Sequence, residues 1–294
     1  ARSMEVVSRR KDGSLYDAVT TVAPLFDARA GGQPIGYVAV QRDITPIKEA
    51  ERLKDQFVSN VSHELRTPLS VIALVSGNLD LLYDRLPDAQ RRKMVREIRQ
   101  HAQVLEDLVG DVLEISRIES GRIPMERQVL DLARLAREEV EKQSPLAQKK
   151  AQTLRATGIR QLSVHGNDEQ LRQAIRNLVN NAIKYTPEGG RITCECATLS
   201  GGADQDLWPD SSELPPGKWA ALRVADTGIG ISPADLPKIF ERFYRVKTQG
   251  NIPGTGLGLS IAQELVESHG GRLAATSTLG QGSVFAIYLP LQEG

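Results

Sequence analysis

Three stretches of this chain hold residues whose types and spacing can do chemistry. The first is Ser62-His63-Glu64-Leu65-Arg66-Thr67-Pro68. An imidazole with a carboxylate next to it is a nucleophile or a proton carrier, and the carboxylate can handle the proton on its second nitrogen. The second is Asn177-Leu-Val-Asn-Asn-Ala-Ile-Lys-Tyr-Thr-Pro187. On a helix, Asn177, Asn181, Lys184 and Tyr185 share one stripe, and asparagine is a poor helix former. A polar stripe of this kind suits a ligand: amide oxygens suit Mg²⁺ and an ammonium suits phosphate. It also suits a helix face in water. The third is a pair of glycine-rich segments, Asp226-Thr-Gly228-Ile-Gly230 and Gly254-Thr255-Gly256-Leu257-Gly258. A carboxylate such as Asp226 accepts a hydrogen bond from an exocyclic amine. Glycines running into a helix aim backbone N–H groups at an anion. The second segment is neither a Walker A loop, which needs Gly-Lys-Ser/Thr, nor a dinucleotide fingerprint, which needs a preceding strand.

These groups need positioning. Around His63, Val58, Leu65, Ile72 and Leu79 repeat every seven residues, with Val61, Pro68, Val75 and Leu82 three residues on. Such rows are the a and d positions of a packed helix, which puts His63 at f, furthest from the seam. A second helix follows the Leu86-Pro87 break, with Asp88 as its N-cap. Its rows are Met94, His101, Leu108 and Ile115, and Ile98, Leu105 and Val112. His101 therefore reads as a core or interface histidine. Gly121 ends this helix. One hairpin leaves its apolar face uncovered, so a homodimer that completes a four-helix bundle is expected. Residues 122–294 alternate helices and strands, the pattern of an α/β sandwich. Helices are expected from Asp131 to about Ser144, Asp168 to Lys184 and Leu257 to Ser268. Strands are expected near Thr153, Leu162, Arg191–Leu199, Trp219–Ala225, Arg272–Thr278 and Ser283–Leu289. The Gly-, Asp-, Ser- and Pro-rich run between Ser200 and Lys218 reads as a solvated hairpin extension in which Trp208 caps apolar surface.

Residues 4–44 read as strands, with Asp12-Gly13 as one hairpin turn and residues 30–34 as another. From Pro46 to Lys54 the chain is charged and helical. Its apolar face (Ile47, Ala50, Leu53, Phe57) is out of phase with the seam that follows. That slip fits an ordinary connecting helix or a stutter in a two-chain coiled coil.

At 294 residues the chain suggests two domains with a fragment of a third; 40% of it is apolar and 25% charged, as in globular proteins. Only 4% is aromatic, so aliphatic packing dominates. Lys plus Arg and Asp plus Glu both number 37, so nothing implies a nucleic acid partner. No apolar run approaches the roughly 20 residues that span a bilayer, although a longer parent chain can carry an anchor outside this segment. Cys194 and Cys196 alternate on a strand, which fits packing in a reducing cytoplasm better than a metal or disulfide site.

The residues around His63 resemble the H-box of sensor histidine kinases, in which the histidine is the phosphoacceptor. The three downstream stretches resemble the N, G1 and G2 boxes of the GHKL (Bergerat) ATP-binding fold, and Phe240-Glu-Arg-Phe-Tyr-Arg245-Val246 resembles its F box. Gly280 and Gly282 match a weaker glycine pair. Gln41-Arg-Asp-Ile-Thr45 is similar to the end of a PAS sensor domain, of which only the last third is expected here, truncated or continuing into further sequence. The resemblance covers roughly residues 46–291. It implies a PAS-like end at 1–45, a helical linker at 46–57, a dimerising histidine phosphotransfer hairpin at 58–121 and an ATP-binding catalytic domain at 122–294. His63 would take the γ-phosphoryl of ATP and pass it to an aspartate of a response regulator. The resemblance gives Thr67 to dephosphorylation of that aspartate. Asn181 would ligate Mg²⁺, assisted by Asn177. Lys184 and Arg245 would reach the phosphates, Tyr185 would flank the nucleotide and Asp226 would read adenine. Gly228 and Gly230 would line the site, and Gly254 to Gly258, with Thr255 and Leu257, would form a mobile lid. The nucleotide domain would swing on a joint near Ser120-Gly121. A GHKL ATPase doing conformational work needs no exposed histidine on a dimeric helix. A non-enzymatic scaffold needs no intact Asn181, Asp226 or lid glycines.

Overall fold

Three antiparallel strands open the chain: β1 (Arg2–Arg9), β2 (Leu15–Phe26) and β3 (Pro34–Asp43), in the order β1-β2-β3. The computed structural model describes residues 2–26, 34–119, 127–202, 207–246 and 254–291. The expected turn at 30–34, the joint at Ser120-Gly121 and residues 247–253, which lead into the expected lid, lie wholly or mainly outside those residues. The chain divides into two compact units, Ala1–Glu64 and Leu65–Gly294.

In the first unit, Gly13 takes φ +89° in the β1–β2 turn, and the Asp12 carboxylate accepts from the Ser14 N–H at 2.9 Å. The helix that follows, α1 (Thr45–Leu82), is fastened to the sheet at its first residues. Asp43 accepts from the Thr45 N–H, and the Thr45 hydroxyl accepts from the Asp17 N–H, both at 2.9 Å. Lys48 pairs with Glu5 and Asp17, and Ile44 and Ala18 are buried beside these contacts. Most other apolar side chains of the sheet are exposed, among them Val7, Leu15, Tyr37 and Val40.

The helix α1 runs unbroken through the phase slip at Phe57. Its seam follows the heptads: Pro68 and Val75 are buried, Val61, Leu65, Ile72 and Leu79 are half-buried, and only Val58 and Leu82 at the ends are exposed. The segment Thr45–Arg85 contains an 18-residue window long and apolar enough to cross a membrane. Charged and polar residues such as Arg66, Ser70, Asn78 and Asp80 interrupt it, so it passes by its mean hydropathy and not as one apolar run. That mean is raised by apolar residues beyond the two seam rows, such as Leu69, Leu74 and Leu81.

A short 3₁₀ turn, Tyr83–Arg85, leads to α2 (Asp88–Glu119). The Pro87 carbonyl accepts from Gln90 and Arg91, so Asp88 sits inside the first turn and not at the cap. There its carboxylate suits the positive helix end and binds Arg92 at 2.7 Å. Leu108 and Ile115 are buried and the remaining seam positions, His101 included, are half-buried. Helical hairpin and α/β sandwich, the expected architecture, are both present.

The sandwich comprises β4 (Gln128–Asp131), α3 (Leu132–Lys149), β5 (Thr153–Gly158), β6 (Ser163–Gly166), α4 (Asp168–Tyr185), β7 (Arg191–Ser200), β8 (Lys218–Asp226), α5 (Gly258–Ser268), β9 (Arg272–Thr278) and β10 (Gly282–Pro290). Its main sheet has the order β5-β7-β8-β10-β9, parallel only between β5 and β7; β4 and β6 form a separate antiparallel pair. The three helices cover one face. α4 begins at an Asn167 cap that accepts from the Gln170 N–H, and buries Leu171, Ala174, Ile175, Leu178, Val179 and Ala182 at helical spacing. α3 continues through Pro145 to Lys149, beyond the expected stop near Ser144, because Ala147 still has core to bury. Cys194 and Cys196 face this core as free, buried thiols, pushed up by burial, Cys196 to about 12.

The opposite face is covered too. The Ser200–Lys218 run is not a solvated extension: Trp208 and Leu214 are buried with Leu199 and Tyr288 over the small side chains of Ala221, Ala274 and Ala286. The Tyr288 hydroxyl donates to the Pro209 carbonyl, and the Arg223 guanidinium lies 5.1 Å from the Trp208 ring. Small residues on the sheet make room for the indole, which does cap apolar surface as expected.

Candidate active site

His63 is exposed, with 77% of its side chain accessible, as position f requires. Its Nδ1 lies 3.8 Å from Glu64 Oε1, which orients a charge towards that nitrogen without a full hydrogen bond. Thr67 stands four residues on, also exposed. Pro68 has no N–H to offer the carbonyl four residues back, so the helix is locally loosened just after this turn.

The stripe on α4 forms one wall of a cavity of about 690 Å³. Asn181, Lys184 and Tyr185 line it, with Arg245 and Gly254 at its edge. The end of α4 is held by Lys150, which donates to the Ile183 carbonyl at 2.8 Å, and by buried Gln152, which donates to Ile183 at 3.0 Å and Thr186 at 2.6 Å. Lys184 lies 4.9 Å over the Tyr185 ring. Burial, then Arg245 and Lys150, push its ammonium down to about 8. Lys184 and Arg245 both face this space, where an ammonium and a guanidinium suit phosphate.

A narrower slot opens beside it between Ile229, Ile231, Ile239 and Phe285, with Asp226 among its walls and Asn181, Tyr185 and Arg245 shared with the larger cavity. Burial pushes the Asp226 carboxyl up to about 6, against the opposing pull of the Gly228 and Ser283 N–H groups. The Gly228 N–H reaches it at 2.7 Å. A Cβ at Gly228 would stand 2.5 Å from that carboxylate and 2.7 Å from the Tyr185 carbonyl, so only glycine lets the loop pass between them. An apolar slot with one buried acceptor fits a flat heterocycle that carries an amine.

The glycine segment 254–258 enters α5 at Gly258. Asn177 donates to the Gly258 carbonyl at 2.9 Å, so its amide nitrogen fastens α4 to α5 and does not stand open beside Asn181. The Thr255 hydroxyl donates to Asp111 of α2 at 2.7 Å and accepts from the Leu257 N–H at 3.2 Å. Glu106, Asp107, Asp111 and Glu114 of α2 line the same cavity as Lys184 and Arg245. Burial raises the Asp111 carboxyl above its usual range. No motif pointed to Asp111; a polar residue near the α2 seam, four from Asp107, was the available signal. Among the described residues no group of three or more His, Cys, Asp or Glu side chains is arranged to hold a metal.

Two domain families match. The His Kinase A phosphoacceptor domain matches residues 53–121, and the histidine kinase-, DNA gyrase B- and HSP90-like ATPase matches residues 166–293. The chain belongs to the histidine kinases. This histidine kinase is 33% identical over 256 residues to the phosphate regulon sensor protein PhoR of Pseudomonas aeruginosa, covering 86% of this chain and 53% of that one. It is 31% identical over 272 residues to the sensor histidine kinase WalK of Bacillus subtilis, covering 90% and 41%. The chain thus spans about half or less of the length of these curated relatives. Among solved structures, full-length ShkA in complex with AMPPNP is 27% identical with a TM-score of 0.55, over 81% of this chain and 46% of that one. Histidine kinase ThkA, in a complex with response regulator protein TrrA, shares the fold at 22% identity with a TM-score of 0.60, over 99% and 79%. ATP is therefore the nucleotide for which the kinase carries a domain.

Proposed function

We propose that the kinase autophosphorylates on His63 with ATP and passes the phosphoryl group to an aspartate of a response regulator. The observation that carries this reading is convergence: Asn181, Lys184 and Tyr185 of α4, Asp226 at the end of β8 and Arg245 of a later turn come from three separate segments and line two cavities that share walls, while His63 is exposed. In this reading residues 122–294 are the catalytic domain, 58–121 the phosphotransfer hairpin, 46–57 its linker and 1–45 the end of a PAS-like sensor domain. The heptad rows, left half-buried by a single hairpin, support a homodimer that would cover them. The free thiols, buried in the core, fit a cytoplasmic setting.

Adenine occupies the slot at Asp226, whose carboxylate accepts from the exocyclic amine. Lys184 and Arg245 neutralise the phosphates. Mg²⁺, when bound with ATP, would shield the charge of the transferring phosphoryl; the half-buried Asn181 amide, which lines both slot and cavity, would hold it through its oxygen. Asn177 holds the lid helix in register. At His63, Glu64 faces Nδ1 and draws its proton, so Nε2 attacks phosphorus. An N–P bond forms, the γ-phosphorus–oxygen bond breaks, and ADP leaves. Thr67 holds water for the reverse task of clearing the regulator's aspartyl phosphate. Incubation with γ-labelled ATP tests the reading: label on the protein must be acid-labile and base-stable. Label that survives acid, or none at all with bound ATP, would exclude it.

A further inference from the structure

The turn that carries Arg245 has no helix or strand between Ile239 and Val246. Arginine has many rotamers to lose, and on an irregular backbone that loss recurs at every binding event unless the chain is already fixed. Three ties fix it. Arg242 donates through two nitrogens to Glu264 of α5, at 3.1 and 2.7 Å. The Tyr244 hydroxyl donates to Asp235 at 2.6 Å, and Asp235 also accepts from the Ser232 hydroxyl at 2.6 Å. Between them the Phe243 N–H donates to the Gly256 carbonyl at 3.0 Å. Phe243 has φ +66°, a left-handed conformation that a bulky residue keeps only where its surroundings over-determine it. Gly256, at φ +73°, presses so close that a Cβ there would stand 2.8 Å from the Phe243 carbonyl carbon. The turn is thus sewn to the root of the lid and bolted on both sides.

We propose that Glu264 and Asp235 are positioning residues for the nucleotide: through Arg242 and Tyr244 they hold the left-handed turn at Phe243 that delivers Arg245 to the phosphate end of the cavity. This rests on the reading of Arg245 as a phosphate ligand. Neither carboxylate lines either cavity, so Glu264 can reach the nucleotide only through the turn, whereas Asp235 also holds Tyr244, which lines both cavities; Glu264 therefore carries the sharper test.

The test is calorimetric titration of the full chain with ATP and with adenosine, for Glu264→Ala, Asp235→Asn, Arg245→Ala and Glu264→Ala combined with Arg245→Ala. Glu264→Ala should weaken ATP roughly five- to tenfold, the scale of one charge-assisted contact, and adenosine less than about twofold. Asp235→Asn should act in the same direction more weakly, because an amide still accepts from Tyr244. On the Arg245→Ala background, Glu264→Ala should change ATP affinity less than about twofold, since the group it positions is gone. Exchanging the pair, Arg242→Glu with Glu264→Arg, should restore most of the loss. Equal losses for ATP and adenosine, or full additivity with Arg245→Ala, would overturn the proposal and leave the phosphate reading standing. An Arg245→Ala variant with unchanged ATP affinity would overturn both. If Glu264→Ala fails to fold, Glu264→Gln, which keeps one acceptor, carries the same comparison.

Discussion

The exposed face of α1 and the junction between α4 and α5 each hold a histidine, in opposite surroundings. His63 stands in solvent on a helix whose packing it does not join. His269, just past α5, is 4% exposed and its ring is fully engaged. Its Nδ1–H donates to the Leu265 carbonyl at 2.7 Å, and its Nε2 accepts from the Asn167 N–H at 3.0 Å, pinning the start of α4 to the end of α5. A nucleophile needs a nitrogen lone pair that a second molecule can reach; a staple needs both nitrogens used up. The same side chain serves either end according to what the backbone around it demands. The regions differ in the same way as wholes. The hairpin buries Pro68, Val75, Leu108 and Ile115 and leaves most seam positions half-covered, whereas the sandwich closes both faces of its sheet.

The largest expected effect falls on the first region. His63→Gln should reduce acid-labile labelling to background with ATP affinity unchanged, because position f contributes almost no packing. His269→Gln should leave labelling within a few-fold and lower the melting temperature. Label persisting on the His63 variant would remove the chemical half of the comparison.

Next comes the hairpin itself. Leu108 is 1% exposed and Leu74, on the companion helix, is 65% exposed. Leu108→Asp should cost on the order of 3 kcal/mol by burying a charge, while Leu74→Asp should stay within about 0.5 kcal/mol. Urea midpoints read both. Similar losses at the two positions would mean that the uncovered face of the hairpin is as constrained as its seam.

A smaller effect tests the nucleotide site through pH. Asp226 accepts an amine only as a carboxylate, and burial brings its titration up to about 6. Affinity should therefore fall as pH drops through that value. Lys184 binds phosphate as an ammonium, and burial with its cationic neighbours brings it down to about 8. Bound phosphate raises that value again, so affinity should fall as pH rises through about 8. Each limb is at most about tenfold per pH unit. Lys184→Gln should flatten the alkaline limb alone, and a profile without limbs from pH 5.5 to 9 would contradict both assignments.

Much of this was legible because it was periodic or glycine-marked. Heptads gave the two helices and the outward direction of His63. Apolar spacing gave α4, and the glycines gave loops that the backbone cannot build otherwise. The rest depended on partners distant in the chain. The strand β4 is only four residues long and pairs with β6, so it carries no pattern of its own. The run containing Trp208 looked polar because its apolar residues are sparse; the alanines that receive them lie on three other strands. Asn177 was legible as part of the polar stripe, but the bond from its amide nitrogen to the Gly258 carbonyl, which ties α4 to α5, was not, because Gly258 lies 81 residues on. Glu264 and Asp235 sit outside every motif, since what they hold is a turn and not a ligand.

The smallest effect returns to His269. Burial lowers the pKa of its imidazole, with nearby Arg127 in the same direction, against the opposing pull of the Leu265 carbonyl. The neutral tautomer is the one the fold uses: a proton on Nε2 would turn an acceptor into a donor facing the Asn167 N–H. The unfolded chain binds that proton near pH 6.5, and the folded chain binds it only at lower pH. Stability from this group is thus fully present above 6.5 and is lost as pH falls from there through the folded value. Wild type should therefore exceed His269→Gln in melting temperature at pH 7.5, and the gap should narrow steadily towards pH 5. The shift is expected to be a few degrees at most, because one hydrogen-bonded imidazole contributes on the order of 1 kcal/mol. A gap that stays constant across this range would show that the ring acts by shape alone, and a gap that widens would show that the folded chain favours the proton.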